Sequence, residues 1–401
     1  MLELPEGEGV LPSQFLKAAI DEGVIVADDD SPIPESSIQP ASLDLRLGEV
    51  AYRIRCSFLP DTELVERKLK PLIDDTLDLT GEGVLLEPER PYLIPLRERL
   101  HLPQGIRAKA NPKSSTGRVD IFTRIITDRS YRFDEIEDGY EGRLYLEVVP
   151  LSFPIRLRVD LTLNQVRLSA GRTTLTDDEI RHHHANSPLL FTGGEPVPAS
   201  ELAMSTGMFL GLDLHGDPDG RVGYRAREHA PALDLTKHGA IEPAPYWEEV
   251  QREEGDRVVL SPRKFYLLMS REAVAIPPNL AAEMTAYDPT SGELRTHYAG
   301  FFDPGFGFDR SDRFQGSRAA LEVRAHDVPF MIEDGQRVCK LTFERMLSQP
   351  ELFYGETGAR SSYQRQGDAL SKHFLRPSLD RRVASRGQPP SEELPFPAAD
   401  R

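Results

Sequence analysis

The chain has 401 residues, 65 acidic against 48 basic, and a formal charge of −17. That length allows two domains of ordinary size, and an apolar fraction of 39% can fill sizeable cores. The acidic balance argues against nucleic acid as a partner, since such binding clusters Lys and Arg on phosphates, and no apolar run approaches the roughly 20 residues of a membrane span.

The N-terminus, MLELPEGEGVLPSQF, lacks a basic segment followed by an apolar one, so no signal peptide is read. Cys56 and Cys339 are the only cysteines, which excludes a disulfide framework and makes a cytoplasmic location the expectation. PSQFLKAAIDEG predicts a short helix, capped by Ser13, with Phe15, Leu16, Ala19 and Ile20 on one face and Gly23 at its end. Beyond it, runs with period-two alternation such as RLYLEVV and PIRLRVDLTL predict strands, punctuated by Pro and Gly.

The chain also repeats itself. LEPERPYLIPLRERLHLP (86–103) aligns without a gap with LSPRKFYLLMSREAVAIP (260–277), pairing Tyr92 with Tyr266, Leu93 with Leu267 and Glu98 with Glu272. SLDLRLG (42–48) pairs loosely with GLDLHG (211–216), and the LEV at Glu147 with the LEV at Glu322. A tandem duplication of one β domain follows. Residues 1–174 form the first domain, 175–204 an inter-repeat helix and linker, 205–374 the second domain and 375–401 a Pro-rich disordered tail. Thr176 and Glu179 predict a capping box in the connecting helix. Its His182, His183 and His184 are consecutive, so their side chains do not converge on one ion.

Between two strand patterns lies NPKSSTGRVD (111–120), where Lys113, Ser114, Ser115 and Arg118 gather hydroxyls and cations around a Pro–Gly turn. Such groups converge on phosphate oxygens, although alone they also suit a polar surface turn. DPTSGELR (288–295) is its altered twin, pairing Pro112 with Pro289, Ser114 with Ser291 and Arg118 with Arg295. Glu147 and Glu322 sit in apolar strand patterns. Alternation puts Glu147 on one face with Tyr145 and Val149, and Glu322 with Ala320 and Arg324. A carboxylate there is either solvated or tuned for acid–base work. AGFFDPGFG (299–307) predicts a hairpin turning at Asp303-Pro304-Gly305.

Together QPASLDLRLG, PKSSTGR, AGFFDPGFG, ALEV and the tail YGETGARSSYQRQG (354–367) resemble the dCTP deaminase family, in its long tandem form, within the fold group of the trimeric dUTPases. The resemblance implies a mainly β chain of two tandem distorted, jelly-roll-like β-barrels with a few short helices. It also implies hydrolysis of dCTP to dUTP and ammonia, and a homo-oligomer, a trimer of two-domain chains. Glu322 or Glu147 would be the catalytic base, with Ser114 or Ser291 holding the water. Lys113, Ser115, Arg118, Arg295, Ala299, Asp303, Tyr354 and Gln366 would bind substrate. Mg²⁺ would accompany the triphosphate, and dTTP is the candidate effector. Zinc is not expected, because the H-x-E and P-C-x-x-C elements of zinc deaminases are both missing from the sequence. The family's arginine before the two serines is Lys113 here, and its tail lysine falls at Ser362. The stronger phosphate loop belongs to the first repeat, the hairpin and tail to the second. The resemblance thus implies a composite site joining Ser114, Ser115 and Arg118 of one repeat to Glu322 and Gln366 of another. A dUTPase, a bifunctional deaminase–dUTPase and a non-catalytic nucleotide sensor are the competing readings.

Overall fold

The computed structural model describes residues 6–28, 30–286, 294–296, 300–308, 316–355, 363–364 and 366–375. Each repeat encloses an apolar core between two antiparallel sheets. In the first, one sheet runs Gly9–Val10, Thr162–Ala170, Ile106–Pro112, Glu135–Ile136, with Leu43–Arg46 also on Thr162–Ala170. The other runs Ile73–Asp78, Val50–Ile54, Tyr92–His101, Glu141–Pro150, Ile121–Thr127. In the second repeat Met208–Gly211, Arg337–Arg345, Leu280–Ala286 and Phe301–Phe302 form one sheet, and Phe265–Val274 and Ser317–Ala325 are the centre of the other.

The duplication is visible in the register. Glu147 stands opposite Leu93, and Glu322 opposite Leu267. The N–H of Glu87 donates to the Tyr92 hydroxyl (3.1 Å), as the N–H of Ser261 does to Tyr266 (2.9 Å). Two expected alignments are corrected. The N–H of Arg46 donates to Glu98 (2.7 Å) and that of Gly211 to Glu272 (2.8 Å), so Arg46–Gly48 corresponds to Gly211–Asp213 rather than 42–48 to 211–216. The shared Leu-Asp-Leu string is a chance match four residues out of register.

The second correction concerns 175–204. Leu11 donates to Leu168 and Leu175 to Phe343, each at 2.9 Å, immediately before a helix. Ile25 then pairs with Leu100, and Leu190 with Val274. The helix Asp177–Asn186 and strand Leu190–Thr192 are therefore the second repeat's copy of Ser13–Asp21 and Ile25–Val26, with Leu175, Ile180, Leu189 and Leu190 in its core. The Gly-Gly read as linker turns a hairpin in which Thr192 faces Glu195. The capping box is present, with Glu179 N–H donating to Thr176 Oγ1 (3.3 Å) and Thr176 N–H to Glu179 Oε2 (2.7 Å). The first helix instead has Pro12 as its N-cap, and Ser13 Oγ accepts from the N–H of Leu352 (3.2 Å).

The halves interlock. Leu233 pairs in parallel with Ile155, carrying the excursion 227–247 onto the first repeat. Tyr246, Trp247 and Phe374 pack around Phe153 and one another, with ring centroids 5.3–6.0 Å apart. One continuous core therefore runs from Leu11 to Phe374. Of the tail expected to be disordered from 375, only Leu375 lies within the described residues.

Candidate active site

The strand Ile106–Pro112 ends at a residue without an N–H, and the chain turns there. Lys113 N–H and Thr116 Oγ1 both donate to the carbonyl of Leu163 (3.0 and 2.8 Å), pinning one helical turn, Ser114–Gly117, to the neighbouring strand. The turn forms one wall of a cavity of about 850 Å³ built from both repeats. Lys113 lines it, with its ammonium held by Asp44 and by Thr162 Oγ1 (3.0 Å). Arg118, buried, donates to Gln366 Oε1 (2.7 Å) and the carbonyl of Ala369 (3.2 Å), and its guanidinium lies 3.7 Å from the centre of the Tyr363 ring. Ser371 Oγ donates to the carbonyl of Ser115 (3.0 Å). The tail of the second repeat thus holds the loop of the first.

Glu322 faces this turn from the strand Ser317–Ala325. Leu321, Val323 and Ala325 enter the second core, which sends Glu322, Ala320 and Arg324 to the opposite face, as alternation predicted. The carboxylate lies against Gly117, where an added Cβ would fall 2.4 Å from both of its oxygens. Only glycine permits that approach. Among the described residues, Oε2 of Glu322 is buried without a hydrogen-bond partner. Burial raises its pKa well above the usual carboxylate range; Arg118 opposes the shift and Asp120 adds to it.

Glu147 differs. Its Oε2 accepts from Arg124 Nε and a terminal nitrogen (3.1 and 2.8 Å) and from Ser57 Oγ (3.0 Å). The Arg124 guanidinium also covers the Phe133 ring at 3.7 Å. Segment 55–72 lies over this face, with Val65 and Leu69 packed in one cluster with Tyr145 and Leu93. Glu147 is absent from the cavity wall: its face is covered by the first repeat's own segment 55–72, whereas the second repeat's counterpart, 227–247, packs on the first repeat and leaves Glu322 to the 114–117 turn.

The remaining predicted residues divide. The Asp303-Pro304-Gly305 turn is present, with Phe306 N–H donating to Asp303 O (3.1 Å), but among the described residues no strand pair flanks it: Phe301–Phe302 pairs with Ala282 and Glu283 instead, which corrects the expected hairpin. Asp303 lines the cavity and accepts from Arg167 (3.2 Å), which also donates to Glu344 (2.7 Å) and lies 4.0 Å from the Phe301 ring centre. Burial raises the Asp303 pKa, with Arg167 opposing. The Tyr354 hydroxyl accepts from the N–H of Tyr363 (3.0 Å), and its backbone lies so close to Gly305 that a Cβ there would meet it at 2.8 Å. Gln364 spans Gly305 and Gly307 (3.0 and 2.9 Å), strapping the tail to the turn. Ser291 and Ala299 lie outside the described residues. Arg295 is not the twin of Arg118: in the strand Leu294–Thr296 it pairs with Arg324, the register position held in the first repeat by Phe122 opposite Val149. The segment 287–293, YDPTSGE, therefore contains no cation.

Sequence reasoning missed several wall residues. Asp44 belongs to the quoted SLDLRLG, and one of its oxygens, Oδ1, is buried without a partner. Tyr363 lies in the quoted tail. Arg167 and His238 carried no local signal, because long-range packing brings each to the cavity, and the close approach of Gly117 to Glu322 was equally invisible although the glycine itself lies in the quoted motif.

A phosphate-sized turn with cations, an aromatic turn segment and a protonatable buried carboxylate around one cavity define a pocket suited to hydrolysis on a small phosphorylated ligand. Comparison with known proteins is specific. Residues 7–172 match the 2'-deoxycytidine 5'-triphosphate deaminase (DCD) N-terminal domain, and 176–374 the C-terminal domain of the same family. A crystal structure of 2'-deoxycytidine 5'-triphosphate deaminase from Agrobacterium tumefaciens is 43% identical, covering 86% of this chain and 97% of that one, with a TM-score of 0.79. A dCTP deaminase of Natronomonas pharaonis is 29% identical over 163 residues, 39% of this chain and 78% of the relative. A "dCTP deaminase, dUMP-forming" of Methanobrevibacter smithii is 32% identical over 126 residues, 31% of this chain and 60% of the relative. The chain is a member of the dCTP deaminase family.

Proposed function

We propose that this enzyme hydrolyses dCTP to dUTP and ammonia at the cavity between its repeats, with Glu322 as the base. The observation that carries the reading is the contrast between the glutamates: Glu322 has an unpartnered oxygen against the Ser114–Gly117 turn, whereas Glu147 is paired with Arg124 and Ser57. Glu322 takes one proton from water as the oxygen bonds to C4 of the cytosine. The carboxyl returns that proton to the ring nitrogen, then takes the second one from the new C4 hydroxyl and gives it to the amino group, so that the C4–N bond breaks, the C4 carbonyl forms and ammonia leaves. A raised pKa suits both halves of this shuttle, which contributes about 10²–10⁴-fold.

Ser114 is proposed to hold the attacking water, and Ser115, Arg118 and Lys113 the triphosphate. The turn segment 300–307 would take the base, with Tyr354 and Gln366 closing the tail over it. Mg²⁺ would supply charge compensation to the triphosphate, and Asp44, with an oxygen no hydrogen bond uses, is the residue that fits beside it. The reading is zinc-independent. A trimer of two-domain chains is part of it, tested by light scattering, as is dTTP acting as effector through the same triphosphate contacts, tested by inhibition kinetics.

A second reading, deamination continuing to dUMP and pyrophosphate, is favoured by the name of the Methanobrevibacter smithii relative. The ion pair of Asp303 with Arg167 weighs against it, because that carboxylate is engaged rather than open to a second water. Incubation with dCTP and Mg²⁺, resolving dUTP, dUMP, ammonia and pyrophosphate, decides. Ammonia equal to dUTP is expected; pyrophosphate with dUMP selects the second reading, and binding without turnover excludes both.

A further inference from the structure

The phosphate loop ends on a charge the proposed reaction does not use. Asp120 is fully buried in the left-handed region (φ 56°), and its N–H closes the loop on the carbonyl of Gly117 (2.8 Å). Its Oδ2 accepts from Ser152 Oγ (2.5 Å) and from the Arg324 guanidinium, while Oδ1 has no partner. Arg324 belongs to the other repeat, two residues beyond Glu322 on the same strand face, and also donates to the carbonyl of Arg263. The turn itself does not require a charge here, since Asn or Gly adopts this conformation as readily. Nor does stability, because a buried ion pair is often no better than apolar packing. Glu322 is the charged group between them: Gly117, three residues before Asp120, lies against its carboxylate, and Arg324 follows it two residues on along the same strand face.

We propose that Asp120 and Arg324 are a positioning pair, one residue from each repeat, that sets the proton affinity of Glu322 without touching substrate. The loop presents Arg118 and Asp120 to Glu322, with opposite signs. Its own strand adds Arg324 and Arg318, the latter paired with Asp213. The tail adds Tyr363, Lys372 and His373 to the same cavity wall, and the neighbouring strand presents Leu267. Lys113 and the turn's Asp303 are each compensated by a partner, Asp44 and Arg167. Burial brings the Asp120 carboxyl up to about 6, with Arg324 and Ser152 opposing, so its anion is present through the neutral range.

The inference rests on Glu322 being the base, and its test separates the two claims. The pH profile of kcat/KM is measured on the full chain with dCTP and Mg²⁺. Asp120→Asn removes the anion and moves the acid limb down by about one pH unit, while Arg324→Met removes the cation and moves it up. A purely structural pair would lower rate and thermal stability in both variants and leave the limb in place. Should Asp120→Asn fail to fold, Asp120→Gly removes the same charge at a compatible φ. Unmoved limbs, or limbs moving the same way, overturn the inference while leaving the base intact. Full activity in Glu322→Gln overturns both.

Discussion

Gly117→Ala is the sharpest perturbation of the site. The backbone there is helical, so alanine meets no conformational penalty and gains helix propensity. Its methyl, however, would lie 2.4 Å from both Glu322 oxygens, and 2.7 Å from the carboxyl carbon. Relief to ordinary contact needs a displacement of about 1 Å between the loop and the carboxylate, which costs on the order of 100-fold in kcat/KM when reacting groups are misplaced by that much. Overpacking of this kind also costs about 1–3 kcal/mol of stability. The two costs are separable by a double-mutant cycle in urea. Glu322→Ala opens the space, so Gly117→Ala should be destabilising in the wild-type background and close to neutral beside Glu322→Ala. Deaminase assays on the single variant give the rate. A Gly117→Ala enzyme with wild-type kcat/KM, or additive stability losses, would refute the close approach of the two repeats.

Arg124→Leu leaves the buried Glu147 without its cation, with only Ser57 Oγ still donating to it, and should cost about 3–5 kcal/mol of stability in urea titration, with kcat of the surviving folded enzyme unchanged. Gln366→Ala removes a charge-assisted bond to Arg118 and should raise KM for dCTP about tenfold. Glu322 also carries a pH signature. Its folded pKa lies above the unfolded one, so the native state holds a proton that the unfolded state has released, and stability falls as pH rises from the ordinary carboxylate range through the raised value. Glu322→Gln should accordingly be more stable than wild type at pH 8, with the gain shrinking toward pH 5, as thermal unfolding across that range would report.

Much of the fold was legible because it was written twice. Tyr92 and Tyr266 occupy equivalent positions, and the two LEV strings predicted that Glu147 and Glu322 share a register. Gapless similarity succeeded where strands are long. It failed at 42–48 against 211–216 and at 288–295, where short motifs slide by four residues and only ladder register corrects them. The segment 175–204 was misread because it follows the first repeat in sequence, yet Leu175 and Ile180 serve the second core.

The site was legible as a list of residue types but not as a pairing. Local pattern could not choose between two glutamates in matching strands. The choice is made by what covers each one: segment 55–72 with Arg124 over Glu147, and the glycine-centred turn 114–117 over Glu322. Asp44 and Tyr363 lay inside recognised motifs, whereas Arg167 reaches the cavity beside Asp303 and Glu344, and His238 beside His373, partners far along the chain that no window of sequence reveals.

Parallel assays of Glu322→Gln and Glu147→Gln, with dCTP and Mg²⁺ and quantitation of ammonia and dUTP, test the central claim most directly. Glu322→Gln should lose about 10²–10⁴-fold in kcat, and Glu147→Gln should keep most of its turnover while losing stability. An inactive Glu147→Gln beside an active Glu322→Gln would contradict the assignment and place the chemistry in the other repeat.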